Sequence, residues 1–194
     1  MIVVFRRTGE RRYAVEAQRQ GFPDVMMNPA PGYDPLIPHD LMHLVVEAQL
    51  GLTRGIFGQL AAGGGTFQLV VKHDENAREL ARTRRRVVAR GKKSMKAGRE
   101  ECLQSERATY ICLQEWRARS SSRHEQKLAK TMADQARSVR GAAGSGESHD
   151  LNAEKLDEIC KHLDQLSARW SSLKVGESMA VSWPDLADLT SNRG

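Results

Sequence analysis

The sequence predicts an α+β protein in which a small antiparallel sheet, built from an N-terminal hairpin and a C-terminal strand, packs on helices. A long, mostly helical insertion is expected between the two ends. Three observations support this prediction. Short β-branched segments with alternating patterns occur at both ends of the chain. The middle is free of proline and rich in Arg, Lys, Glu, Gln and Ala. Five of the six prolines lie within residues 21–38.

The N-terminal elements follow from local patterns. Residues 2–5 are apolar and β-branched, and residues 11–17 alternate polar with apolar side chains after a glycine-containing turn, which predicts a hairpin. The prolines of residues 21–38 predict an ordered loop without regular structure. A helix is expected from near Pro38 to Leu50, because proline is tolerated in a first turn and Gly51 stops the helix.

The remaining elements are predicted in the same way. A short helix over residues 52–62, a strand over 66–71, and two or three helices between 74 and 140 are expected. Residues 141–150 have the composition of a flexible linker. Apolar residues spaced by three, four and seven predict a helix over 151–170. Alternation over 179–183, halted by Pro184, predicts a strand that returns to the N-terminal hairpin.

This closure divides the chain into three parts. Residues 1–72 and 151–194 form the predicted α+β body, residues 73–140 form a basic-to-mixed helical arm, and residues 141–150 form the linker. A length of 194 residues suits one domain with an appendage.

The composition and the N-terminal sequence indicate the cellular location. A charged fraction of 28% and the lack of any apolar run near 18 residues exclude a membrane protein by sequence, so no membrane span is expected. The apolar N-terminal stretch is too short for a signal peptide, which predicts a cytoplasmic location. Three cysteines at irregular spacings match neither a disulfide framework nor a paired zinc site, and we interpret them as buried hydrophobes.

The densest set of potential metal ligands lies on the helix predicted after Pro38. His39 and His43 are four residues apart, so both imidazoles can face one divalent ion, for which zinc is expected. A third ligand must come from elsewhere. Asp34 in the preceding loop is the first choice and Glu47 the second, although Glu47 lies about 12 Å along the axis from His39. Asp40 and Glu47 are the candidate catalytic carboxylates, because Asp40 stands where the zinc hydrolase signature His-Glu-x-x-His has its general base.

Three interpretations of this helix remain open. Leu41, Leu44 and Val45 form one apolar stripe, yet Val46 and Leu50 lie among the histidines, so the helix is apolar nearly all round. A buried helix must satisfy its polar groups. They either bind a metal ion, pack against each other as structural polar groups, or perform metal-free acid-base catalysis through a His/Asp pair.

One resemblance to a known family rests on this string. The His-Asp-x-x-His pattern formed by His39, Asp40 and His43 resembles the zinc motif of the Coq4-type family of ubiquinone-biosynthesis proteins. That motif continues with a glutamate about a dozen residues further on, whereas position 55 here is glycine and the nearby acid is Glu47. The resemblance implies that such a string can hold a divalent metal ion.

The basic charge is confined to one segment. From Arg78 to Arg99 there are ten Lys and Arg residues against one glutamate, a net +9, so the rest of the chain, at 6 − 9, carries −3. This cluster is a candidate contact for nucleic acid or an acidic protein partner; its central members are Arg82, Arg84, Arg85, Arg86, Arg90, Lys92 and Lys93. The competing interpretations are a solvated helical arm, paired with the acids of residues 100–106 or with a partner subunit, and a homo-oligomer formed through the helices.

Two functional hypotheses follow. The first is a metal-dependent enzyme of hydrolase or lyase type, with a small-molecule substrate that the sequence does not identify. The second is a non-enzymatic binding module that uses the basic cluster to contact nucleic acid or an acidic partner. The two hypotheses are compatible, because the features occupy different parts of the chain.

Overall fold

The computed structural model describes residues 1–71, 76–120, 131, 134 and 151–187. The predicted linker, most of residues 121–140 and the last seven residues lie outside the described part. None of the described helices is long and apolar enough to cross a bilayer. The elements with defined bounds are β1 (Ile2–Gly9), β2 (Arg12–Gln18), β3 (Val25–Met27), α1 (His39–Leu50), α2 (Ile56–Ala61), β4 (Gln68–Leu69), α3 (Ala77–Ala97), α4 (Arg99–Ser120), α5 (Ala153–Ser172) and β5 (Ser178–Ser182).

The five strands form one antiparallel sheet in the order β4-β3-β2-β1-β5. In β1, Val3 lies opposite Ala17 of β2 on one side and Val181 of β5 on the other. The predicted hairpin and the return of the C-terminal strand are therefore confirmed. With the helices that pack on this sheet, they confirm the α+β class.

The prediction that residues 21–38 contain no regular structure is wrong over Val25–Met27. This short segment pairs with β2 on one side and β4 on the other. Its flanking prolines, Pro23 and Pro29, lie outside the three paired residues, so no ladder hydrogen bond is lost to a missing N–H. Two neighbouring predictions are shortened: β4 covers only Gln68–Leu69, and α2 begins at Ile56.

The core lies between one face of the sheet and a group of helices. Inward-facing side chains of the strands, such as Phe5 and Met179, are fully buried, as period-two alternation requires. Trp170 of α5 packs edge-on against Tyr13 of β2, with 6.1 Å between the ring centroids. The three helices α1, α4 and α5 contact one another.

Helix α1 occupies the centre of this arrangement. It begins at His39 directly after Pro38 and ends at Gly51, whose left-handed backbone (φ 66°) confirms the predicted stop. Every residue from 40 to 47 is buried, which confirms the buried helix that the sequence predicts. Its histidines and carboxylates must therefore find partners inside the protein.

The two described helices of the predicted arm differ in burial. Helix α4 packs between α1 and α5 and contributes Cys112 and Trp116 to the core. Among the described helices and strands, α3 packs closely only against α2 and α4, and it buries only Val87 and Gly91.

The close packing of α3 against Gly65 yields a stability prediction. A Cβ at Gly91 would overlap the backbone carbonyl oxygen of Gly65, so Gly91→Ala must push the helix away from this loop. We expect the free energy of unfolding to fall by about 1–3 kcal/mol in chemical denaturation. Alanine is intrinsically the better helix former, so a neutral or stabilising result would contradict the packing. Val88→Ala, at a half-exposed position, is the control and should change little.

Candidate metal centre

Three potential metal ligands converge where α1 meets α4. His39 and His43 of α1 and Glu106 of α4 each offer one ligand atom, and these atoms all lie within 4.8 Å of one another. Nε2 of His43 is 3.5 Å from Oε2 of Glu106. Two ligands bound tetrahedrally to zinc at about 2.1 Å lie roughly 3.4 Å apart. The His43 and Glu106 atoms already have this spacing, and the structure therefore contains a group that could bind a metal ion.

Helix packing and one loop glycine position these side chains. Four-residue spacing places the two imidazoles one turn apart, with 4.6 Å between their ring centroids. The preceding loop passes directly over His39 at Gly32, where a Cβ would lie 2.8 Å from the Cβ of His39. Gly32 also has a left-handed backbone (φ 72°), which favours glycine independently.

A buried hydrogen-bond chain determines the tautomer of His43. Its Nδ1 lies 2.8 Å from Oγ of Ser105, and Ser105 donates to Oε1 of Glu47, also at 2.8 Å. Because the serine hydroxyl has a single hydrogen and donates it to Glu47, its oxygen accepts the Nδ1–H of His43. Oγ1 of Thr109 lies 3.3 Å from the same nitrogen and is a second, longer contact. His43 therefore carries its proton on Nδ1, and its Nε2 has a free lone pair.

The unprotonated Nε2 of His43 faces the carboxylate of Glu106, and no hydrogen bond joins the two groups. It is buried and has no hydrogen-bond partner in the described part of the chain. Burial, with a smaller effect of His39, lowers the pKa of His43 to about 4. The imidazole is therefore neutral near pH 7, so the contact with Glu106 is not an ion pair. Two electron-rich atoms 3.5 Å apart repel each other unless a cation lies between them.

Glu47 lies behind His43 rather than in the ligand group. It is fully buried and accepts N–H hydrogen bonds of 2.8 Å from both Ile56 and Phe57 at the start of α2. Burial raises the pKa of Glu47 to about 7, against the effect of its hydrogen bonds. A Cβ at Gly55 would lie 2.5 Å from Cδ of Glu47. Any side chain at position 55 would therefore displace the Glu47 carboxylate.

The other two predicted carboxylates also lie outside the ligand group. Asp40 is buried and accepts a 2.5 Å hydrogen bond from the hydroxyl of Tyr13, and burial raises the pKa of Asp40. Asp34 accepts the N–H of Leu36 at 2.8 Å and pairs with Arg117 of α4. Each of these carboxylates therefore has a structural partner.

Glu106 was not predicted from the sequence. The residue is 63 positions from His43 in sequence, on a helix that carries several other glutamates. One local signal accompanies it: the small polar residues Ser105 and Thr109 lie one turn apart on the otherwise apolar face of α4, where they contact His43. The basic cluster lies elsewhere, on α3, and all seven of its predicted contact residues are exposed.

The burial of neutral His43 predicts a pH effect on stability. The pKa of His43 is about 4 in the folded protein and about 6.5 in the unfolded chain. The unfolded state therefore binds more protons between these values, and the stabilisation is lost as pH falls. Relative to His43→Asn, the wild type should lose about 3 kcal/mol of unfolding free energy between pH 7 and pH 4 in urea denaturation with a chelator present. The titration of Glu47 contributes to the pH profiles of both proteins and therefore cancels in their difference. Parallel profiles would contradict the burial of a neutral His43.

Comparisons with protein-family models, with curated proteins and with solved structures find no match to this chain. The resemblance of the His-Asp-x-x-His string to the Coq4-type family accordingly stays a prediction.

Proposed function

We propose that this chain is a metal-dependent enzyme of hydrolase or lyase type that holds one divalent ion, zinc, between His39, His43 and Glu106. Glu106 takes the place that the sequence assigned to Asp34. The observation that supports the proposal most strongly is the buried, unpartnered Nε2 of His43 opposite the Glu106 carboxylate. A divalent ion between them would convert a repulsive contact into two ligand bonds.

The residues around His43 have the features of an outer ligand shell. Metal-bound histidines commonly donate their second ring N–H to a hydroxyl, carbonyl or carboxylate, which orients the ring and raises its basicity. Here Ser105 receives that N–H, and Glu47 receives the hydrogen of Ser105. Most buried ring nitrogens of structural histidines have a hydrogen-bond partner, and the Nε2 of His43 has none within the described residues.

Exposure of the other two ligands supports a catalytic role over a structural one. His39 is partly exposed and 59% of the Glu106 side chain is accessible, so solvent reaches the ion site. Two imidazoles and one carboxylate leave a coordination position for water, as in catalytic zinc sites. A zinc ion held by His39, His43 and Glu106 would lower the pKa of a bound water to about 7, and would supply a hydroxide nucleophile or polarise a substrate carbonyl. Asp40, turned towards Tyr13, is assigned a structural role in this proposal.

Metal analysis of the purified protein tests the proposal. We expect one divalent ion per chain after purification without chelator, and calorimetric binding of one Zn²⁺ by the chelator-treated protein. The absence of stoichiometric metal together with no zinc binding at micromolar concentrations would contradict it. Iron in place of zinc would retain the ligand set but change the reaction class, because two histidines and a carboxylate also suit non-haem Fe(II).

A further inference from the structure

The strongest feature outside the metal centre is the charge on α3. The helix carries nine Lys and Arg residues against one glutamate over 21 residues, a length of about 31 Å. None of these cations pairs with a carboxylate within residues 1–71, 76–120 and 151–187. The intramolecular pairing with residues 100–106 that would neutralise them is therefore not formed. A cluster of cations without carboxylate partners attracts an external polyanion.

The cations surround the helix rather than occupying one face. At about 100° per residue, counted from buried Val87, Arg84 lies at about 60°, Arg85 at about 160° and Arg86 at about 260°. Arg90, at about 300°, lies over the ring of Phe22, 4.7 Å from its centroid. The other positive side chains thus cover roughly 200° of the circumference. The remaining arc holds Val87 and Gly91, which rest on the protein, so α3 forms a ridge with charge on its top and both flanks.

This shape favours a grooved partner over a flat one. An anionic membrane or an acidic protein surface touches one side of a helix. A membrane helix also needs a broad apolar face, whereas the large exposed apolar side chains of α3 are Val88 and Met95, which lie among cations. A helix with its side chains is 10–12 Å wide, and the major groove of B-form DNA is about 12 Å wide with phosphates on both walls. The major groove of duplex RNA is too narrow. Stacking on single strands needs aromatic residues, and α3 has none.

We propose that α3 is a sequence-independent binding site for double-stranded DNA, with its flanking arginines and lysines contacting phosphates on the two walls of the major groove. This binding is independent of the proposed metal chemistry. Phosphate contacts of this kind release counterions, so affinity falls steeply with salt, with a log-log slope of about −0.9 per contact. Five contacts would give a slope of about −4 to −5.

The test is fluorescence anisotropy of the full chain with a random-sequence DNA duplex between about 50 and 200 mM salt. The wild type should bind, with affinity falling several hundredfold over that range. Arg84→Gln/Arg85→Gln/Arg86→Gln should weaken binding at least about tenfold at 50 mM salt and make the slope shallower by about 3. The control Arg12→Gln/Lys161→Gln/Lys174→Gln removes the same charge from exposed positions elsewhere and should retain most of the affinity.

Several outcomes would overturn the proposal. They are no binding at 50 mM salt, equal losses in the α3 and control variants, or binding as tight to duplex RNA, single-stranded DNA, polyglutamate or anionic phosphatidylserine vesicles as to duplex DNA. Circular dichroism melting of both triple variants shows whether they remain folded, which is expected because every substituted side chain is exposed.

Discussion

Glu106→Gln is expected to lower the affinity for zinc by at least about 100-fold, because it removes the only charged ligand of the proposed site. His43→Ala should have an equal or larger effect, since it removes the preoriented Nε2. These losses should exceed the 10- to 100-fold typical of outer-shell substitutions. Calorimetric titration of chelator-treated protein with Zn²⁺ measures both.

Two control variants make this result specific. Glu100→Gln removes the same charge from an exposed position on the same helix and should leave zinc affinity unchanged. Asp34→Asn distinguishes the ligand expected from the sequence from the one proposed here. Retained affinity in Asp34→Asn supports Glu106. If Asp34→Asn loses zinc while Glu106→Gln keeps it, the proposed ligand set is wrong.

The second large effect on zinc affinity is expected from the residues that hydrogen-bond to His43 on the side away from the ion. Ser105→Ala breaks the chain from His43 to Glu47, so the imidazole loses the acceptor that holds its proton on Nδ1. We expect zinc affinity to fall about 10- to 100-fold. The longer contact to Thr109 can replace part of this interaction, so Ser105→Ala/Thr109→Val should show the larger loss. Glu47→Gln should also weaken zinc binding, because Ser105 then competes with two backbone N–H groups for one amide oxygen.

Ser167→Ala provides the matched control for this series. Ser167 is also buried and donates one hydrogen bond, to the carbonyl of Leu36, and it lies outside the hydrogen-bond chain from His43 to Glu47. Both serine variants should lose about 1–2 kcal/mol of stability. Equal zinc affinities for Ser105→Ala and Ser167→Ala would show that the chain from His43 to Glu47 is structural only.

The parts of the fold predicted from sequence are those with a local cause. Alternation at both chain ends predicted the pairing of β1 with β2 and β5, and Pro38 and Gly51 predicted the bounds of α1. β3 was missed because three residues between prolines show no measurable period. Its strand conformation depends on pairing with β2 and β4.

The residues of the candidate site that could be predicted are likewise those with a local cause. His39 and His43 were found because one helical turn fixes their spacing, and that spacing is local. Glu106 was not found, because its proximity depends on how α4 packs against α1. Glu47 was recognised as buried and polar, but its role depends on Ser105 and on the start of α2, which the sequence does not place beside it.

The most direct test of the metal centre is a crystal structure of the zinc-loaded protein with anomalous data collected at the zinc absorption edge. We predict a single strong peak about 2.0–2.2 Å from Nε2 of His43, a ring nitrogen of His39 and a carboxylate oxygen of Glu106. A peak at Asp34, a peak on Nδ1 of His43, or no peak within reach of α1 would contradict the account.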